Sequence, residues 1–136
     1  MSLHDCRSVN FSRRDDPRGS LSFVEGGRHV PFEIKRIFYL HNIVPGSSRG
    51  GHAHRLLHQV IAALHGSFTV MLDDGTSRKS FLLDRPDQGL HVVPGTWNEL
   101  SGFSSGAVCF VLASDYFDEA DYIRDYDTFL RFVGAL

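Results

Sequence analysis

Hydrophobic positions along this chain recur mostly in short runs closed by turn-forming residues, and only the C-terminus shows a helical period. The run SLSFVE, Ser20–Glu25, lies between Gly19 and the pair Gly26–Gly27 and predicts a strand. Pro31 opens PFEIKRIFYLHNI, where Phe32, Ile34 and, after a shift, Ile37 and Tyr39 alternate with charged residues. The stretch Pro45–Gly51 is dense in turn formers and is expected to be a loop. From Gln59 to Leu83 the pattern gives two or three strands, with Gly66 and Asp74–Gly75 as turns. GLHVVPGTWNEL and AVCFVLAS add further strands. In DEADYIRDYDTFLRFV, by contrast, Tyr122, Tyr126, Phe129, Leu130 and Val133 fall on one helical face. Asp118 is the expected N-cap of that helix, with more acid in its first turn. Many short strands and one terminal helix predict an all-β barrel or jelly roll, one domain over residues 1–136.

Composition narrows the function classes. A chain of 136 residues with 42% hydrophobic and 22% charged residues is expected to fold around one core. Net charge is only -2 and no basic block occurs, which argues against a nucleic-acid binder but leaves room for a local basic pocket for one phosphorylated ligand. No apolar run is long enough to span a membrane, and the polar start lacks a signal-peptide core, so a cytoplasmic protein without membrane partners is expected. Cys6 and Cys109 are too few for a disulfide framework or a CxxC metal site, and two free thiols fit a reducing compartment.

The chemistry centres on RGGHAHR, residues 49–55. Side chains alternate along a strand, so His52 and His54 are expected on one face. A metal site is one reading, but a catalytic metal takes three protein ligands, and the positions that follow offer only Gln59 and a same-parity His58, with Trp97, Asn98 and Glu99 further on. Acid–base work needs less, because a neutral imidazole accepts and returns a proton near neutral pH. Two polar residues at a barrel mouth are the bland alternative.

RGGHAHR, together with DPRGSLSFVE, PFEIKRIFYL, GSFTVMLDDG, LDRPDQGLHVVPGTWNEL and FSSGAVCFVLASDYFDEADYIRDYDTFL, resembles the nucleotide-sugar 3,4-ketoisomerases, WxcM-like cupins, across roughly residues 11–132. The resemblance implies a cupin jelly-roll barrel with a short C-terminal helix and a homodimer with exchanged N-terminal strands. It also implies metal-independent catalysis without a cofactor on dTDP-4-keto-6-deoxyglucose, in which a carbonyl moves from C4 to C3 through an enediol. His52 and His54 match the family's catalytic pair, as base and acid in an order that the residues do not set. A non-catalytic nucleotide-sugar-binding cupin and a 3,5-epimerase are the alternatives. The latter needs a second acidic group, commonly tyrosine, and a His–Asp pair.

An enediol needs its charge stabilised, for which Tyr39 is the expected hydroxyl and Arg49 a cation that could serve either enediolate or phosphate. For the diphosphate, arginine's planar donors fit best. Arg18 resembles the phosphate-contacting arginine of the related epimerase cupins, followed by Lys35 and Arg36, one of them facing inward. Glu33 is expected at a hydroxyl or a cation, and Trp97 or Phe38 against the thymine ring. Arg78 and Lys79 are expected to be solvated, and His58, His65 and His91 to be structural. Asn98 stands where the family commonly has histidine, a departure expected to shift substrate choice or weaken activity, and Gly51 stands where an aromatic is usual, which leaves room near His52 and His54.

Overall fold

The computed structural model describes residues 3–136. The strands are, in chain order, β1 (Arg7–Asn10), β2 (Ser12–Asp16), β3 (Gly19–Phe23), β4 (Arg36–Leu40), β5 (Arg49–His54) and β6 (Gln59–His65). They continue with β7 (Phe68–Asp73), β8 (Arg78–Leu83), β9 (Gln88–Val92), β10 (Trp97–Ser101), β11 (Val108–Ala113) and β12 (Tyr122–Ile123), before one helix, α1 (Tyr126–Phe132). Two antiparallel sheets, ordered β1-β9-β6-β11-β4 and β12-β5-β10-β7-β8, form the sandwich, and β2 and β3 pair only with each other as a separate hairpin. Two packed antiparallel sheets with one short terminal helix are the mostly-β architecture that the turn-punctuated runs predict.

The main core lies between the sheets, where Ile61, Leu90 and Val111 of one meet Val70, Leu72 and Leu100 of the other. The first sheet is covered on its other face too: Val60, Ala62 and Leu112 pack under Phe11, Val30 and the partly buried Phe32 and Ile34. That is why β6 reads QVIAAL rather than as a polar–apolar alternation, since both its faces are dry. Gly89 of β9 allows the close approach of this layer: a Cβ there would stand 2.5 Å from Val60 Cγ1 and 2.9 Å from Phe11 Cζ. A third cluster, Ala53, Trp97, Ile123 and Phe129, seats α1 against the second sheet.

The C-terminal segment departs from the expected helix. Asp118 caps only a single 3₁₀ turn, Glu119–Asp121, accepting from the Ala120 N–H. Tyr122 and Ile123 then run extended and pair with His54 and Ala53. Helix α1 starts after Asp125, whose carboxylate accepts from the Thr128 N–H and side chain. Of the predicted helical face, Tyr126, Phe129, Leu130 and Val133 stay together, whereas Tyr122 belongs to β12. Pairing with β5 satisfies the backbone of 122–123 as well as a helix would, and it brings the segment across the mouth of the sandwich.

Candidate active site

Strand β5 is built to aim its histidines. Gly50 and Gly51 take φ +93° and +71°, and the β5–β10 register shifts between Asn98 and Glu99. At Gly50 an added Cβ would lie 3.0 Å from the Asn98 carbonyl oxygen, so this bulge requires glycine twice over, by conformation and by space. Beyond it, His52 stands opposite Asn98, whose Nδ2 donates to the His52 carbonyl at 3.3 Å.

His52 opens on a cavity of about 440 Å³. Arg49, Gln59, Asn98, Tyr122 and Arg124 share its polar wall with His52, while Phe38, Leu40, Ile61, Cys109 and Val111 make an apolar floor. His54 lies behind, buried, with its ring 5.1 Å from that of His52 in an edge-on arrangement. Its Nδ1 is 3.0 Å from Asp121 Oδ2, and the other carboxylate oxygen, Oδ1, accepts the Leu56 N–H at 2.7 Å. The Tyr122 ring covers both imidazoles, 5.2 Å from His52 and 4.4 Å from His54.

Burial pushes His52 down to about 4, with the fields of His54 and Arg124 adding to it. Burial also lowers His54, against the opposing pull of its hydrogen bond and charge contact with Asp121; Arg36 and Arg124 push further down. Both rings are therefore neutral at pH 7, His52 on the cavity wall and His54 oriented by a carboxylate. A neutral base beside a second imidazole whose partner is fixed can take a proton from carbon and pass another between oxygens.

The sequence-predicted residues divide into three groups. His52, Arg49 and Asn98 line the cavity, and His54 backs it. Tyr39, Trp97, Lys35 and Glu33 are not brought there. Tyr39 is 57% exposed on the face of β4 opposite Phe38 and Leu40, which do line the cavity. Trp97 is buried against Tyr126 and Phe129, its Nε1 donating to Glu99, so Phe38 is the aromatic that reaches the cavity. Lys35 lies over the Tyr116 ring and Glu33 is exposed in the segment before β4. The inward cation of that pair is Arg36, packed between Phe38 and Phe117 with a buried Nε. Arg18 forms a third case: it sits on the β2–β3 hairpin, 90% exposed and paired with Asp16. The third-ligand reading of His58 fails on placement, because His58 Nδ1 is bonded to His91 Nε2 at 3.0 Å on the other sheet. Among the described residues no three His, Cys, Asp or Glu side chains converge on a metal position.

Three site residues are not singled out by the sequence, Asp121, Tyr122 and Arg124, and Gln59 enters there only as a weak metal ligand. Asp121, Tyr122 and Arg124 share one short stretch, DYIR, whose alternation (Tyr122 and Arg124 to one side, Ile123 buried on the other) was the available signal. No helix among the described residues is long and apolar enough to cross a membrane.

Comparison with known proteins adds the following. The family described as FdtA: WxcM-like, C-terminal matches residues 4–134. A TDP-4-oxo-6-deoxy-alpha-D-glucose-3,4-oxoisomerase of Aneurinibacillus thermoaerophilus is 45% identical over 128 residues, covering 94% of this chain and 92% of its own. Among solved structures, a 3,4-ketoisomerase from Helicobacter canadensis superposes with a TM-score of 0.92 at 46% identity, covering 96% of this chain and 98% of its own. QdtA, a sugar 3,4-ketoisomerase from Thermoanaerobacterium thermosaccharolyticum solved with TDP, gives a TM-score of 0.95 at 37% identity, covering 98% and 97% of the two chains.

Proposed function

The chain belongs to the FdtA, WxcM-like family, and from that premise we propose that it is a sugar-nucleotide 3,4-ketoisomerase acting on dTDP-4-keto-6-deoxyglucose in deoxysugar synthesis. The observation that carries this reading is the placement of a neutral His52 on the cavity with the His54–Asp121 pair directly behind it.

In the proposed reaction His52 takes the C3 proton. The C3–H electron pair becomes the C3=C4 double bond, and the C4 carbonyl's π pair moves to O4 to give an enediolate. O4 is protonated while O3 gives up its proton, a transfer suited to His54, whose ring is held by Asp121. The C3 carbonyl forms and the His52 imidazolium returns a proton to C4. Substrate and product are isomers, and both imidazoles end as they began, so the scheme calls for no cofactor and no metal.

Arg49 on the cavity rim suits the diphosphate, as does Arg18 delivered on the hairpin of a second copy. A homodimer is supported by the self-paired hairpin and by the exposed apolar side chains beside it, Leu21, Phe23, Ile37 and Tyr39. Phe38 offers a flat wall for the thymine, and Asn98 a hydrogen-bonding group where the sugar would sit.

One observation favours a second reading. A 3,5-epimerase on the same fold would also use a His–Asp pair and a tyrosine, and His54–Asp121 with Tyr122 supply both. Those groups serve either reaction; full-length likeness to ketoisomerases selects between them. Incubation with dTDP-4-keto-6-deoxyglucose in deuterium oxide, followed by NMR of the sugar ring, separates the cases. A 3-keto product whose C5 keeps protium is expected. Deuterium at C5 with the C4 ketone retained means epimerisation, and saturable binding of an unchanged sugar means a binding module; either result overturns the proposal.

A further inference from the structure

Arg124 has no assigned part in the scheme above, yet it is the best-held cation in the cavity wall. Its Nε and Nη2 donate to the two oxygens of Glu119 at 2.8 and 3.1 Å, a fork-to-fork pair that fixes the guanidinium plane. Its Cζ lies over the Tyr122 ring, 4.3 Å from the ring centre, and Tyr122 itself covers His52 and His54. Glu119 thus takes Nε and one Nη2–H, which leaves both Nη1–H donors and the second Nη2–H without a Glu119 partner on a residue that lines the cavity. Arg49 is placed differently: its field is felt at Cys109 on the cavity floor, whereas that of Arg124 is felt at both imidazoles.

Negative charge develops next to the imidazoles only after the C3 proton leaves. A cation already oriented there stabilises that charge without reorganising. We propose that Arg124 is a catalytic residue, the cation that holds the enediolate oxygens, and that Glu119 is the positioning residue that keeps its guanidinium over Tyr122. The proposal rests on the ketoisomerase reading and assigns the segment 119–124 two tasks: Asp121 orients His54 and Arg124 meets the charge. Glu119 does not cancel this benefit. The pair is more than half exposed, so water screens the Glu119 carboxylate, and a substrate filling the cavity would exclude water from the cavity side of Arg124.

The test compares Arg124→Gln, Arg124→Lys and Glu119→Gln with the unaltered enzyme, measuring kcat, KM and the Kd for TDP, with melting to verify folding. Loss of the guanidinium is expected to lower kcat about 10²- to 10³-fold, as loss of one oxyanion donor does, with TDP affinity within about twofold. Lysine should restore part of kcat by its charge, and Glu119→Gln should lower kcat about tenfold with TDP affinity kept, since the cation remains but is no longer aligned. Arg124→Gln should also raise the acid limb of kcat/KM, because the other charged groups facing His52 and His54 (Asp121, Arg36 and Glu119) are unchanged. Weakened TDP binding with kcat preserved would make Arg124 a phosphate ligand and overturn the proposal, as would full activity of Arg124→Gln. If the unaltered enzyme itself left the sugar unchanged, the ketoisomerase reading would fail instead.

Discussion

The molecule contains two histidine pairs of nearly equal spacing, and they differ in everything that matters for chemistry. His52 and His54 have ring centres 5.1 Å apart, and His58 and His91 5.3 Å apart. In the outer pair the two rings bond to each other, His58 Nδ1 to His91 Nε2 at 3.0 Å, under the Phe32 ring. One donates and the other accepts, so each ring spends one nitrogen on the other. In the inner pair the rings meet edge-on; His54 bonds to Asp121 instead, and His52 lines the cavity. Imidazole content does not make a site. What makes one is a ring on the wall of an open cavity, backed by groups that fix its neighbour.

The largest effect that should separate the pairs is on turnover. His52→Asn and His54→Asn are expected to lower kcat by about 10²- to 10⁴-fold, the range for a general base or acid, while TDP binds as before. His58→Asn should leave kcat within about twofold. Steady-state kinetics beside calorimetric TDP titration measure this. Equal losses at His52 and His58 would erase the distinction.

A smaller effect should come from Asp121→Asn. The carboxylate accepts from Leu56 N–H through one oxygen and contacts His54 with the other, whereas an amide has a single acceptor oxygen for both. The oxygen then serves Leu56 and the NH2 donates to His54 Nδ1, which forces the other tautomer on His54. As for other groups that orient a working histidine, kcat is expected to fall on the order of 10- to 100-fold. The sign of the pH response follows too. Asp121 opposes the lowering of His54, so its removal drops that group further and moves the acid limb of kcat/KM to lower pH. The limb belongs to the coupled pair, not to either ring alone.

These contrasts were only half legible in the sequence. The strands and the shared face of His52 and His54 follow from period-two alternation and turn chemistry, which are local. The expected loop Pro45–Gly51, by contrast, ends early, because Arg49–Gly51 form the start of β5 and Arg49 and Gly50 pair with β10. The segment 118–125 was not legible, because Tyr122 continues the 3.6-residue spacing of Tyr126, Phe129, Leu130 and Val133 by coincidence. Only the unpaired edge of β5 makes Tyr122–Ile123 a strand, and an edge is a tertiary fact. Reading helix there hid Asp121, Tyr122 and Arg124 together. Tyr39 went astray for a related reason: Ile37 and Tyr39 look as apolar as Phe38 and Leu40, so β4 does not announce which face meets the cavity. Trp97 was misplaced because an aromatic's burial does not say against what; here α1 supplies the partner surface.

The smallest effect is the sharpest statement about the outer pair, since it concerns stability rather than rate. Burial lowers both His58 and His91, and His58 lowers His91 further. Each therefore binds fewer protons folded than unfolded once the pH drops below the ordinary histidine value of about 6.5. Unfolding free energy then rises with pH through that window, and stability present above about pH 6.5 is lost on acidification. His91→Phe removes one such group, sets an aromatic beside Phe32, and leaves the half-buried His58 to bond with water. Urea denaturation at pH 8 should show a change within about 1 kcal/mol, the net worth of one hydrogen bond. At pH 5.5 the variant should have lost less stability than the unaltered protein, with kcat unchanged at pH 8. His52 and His54 contribute to the acid loss in both proteins and cancel in the difference. A variant as acid-sensitive as its parent would mean that the outer pair stays uncoupled from folding, and that its 3.0 Å contact is incidental.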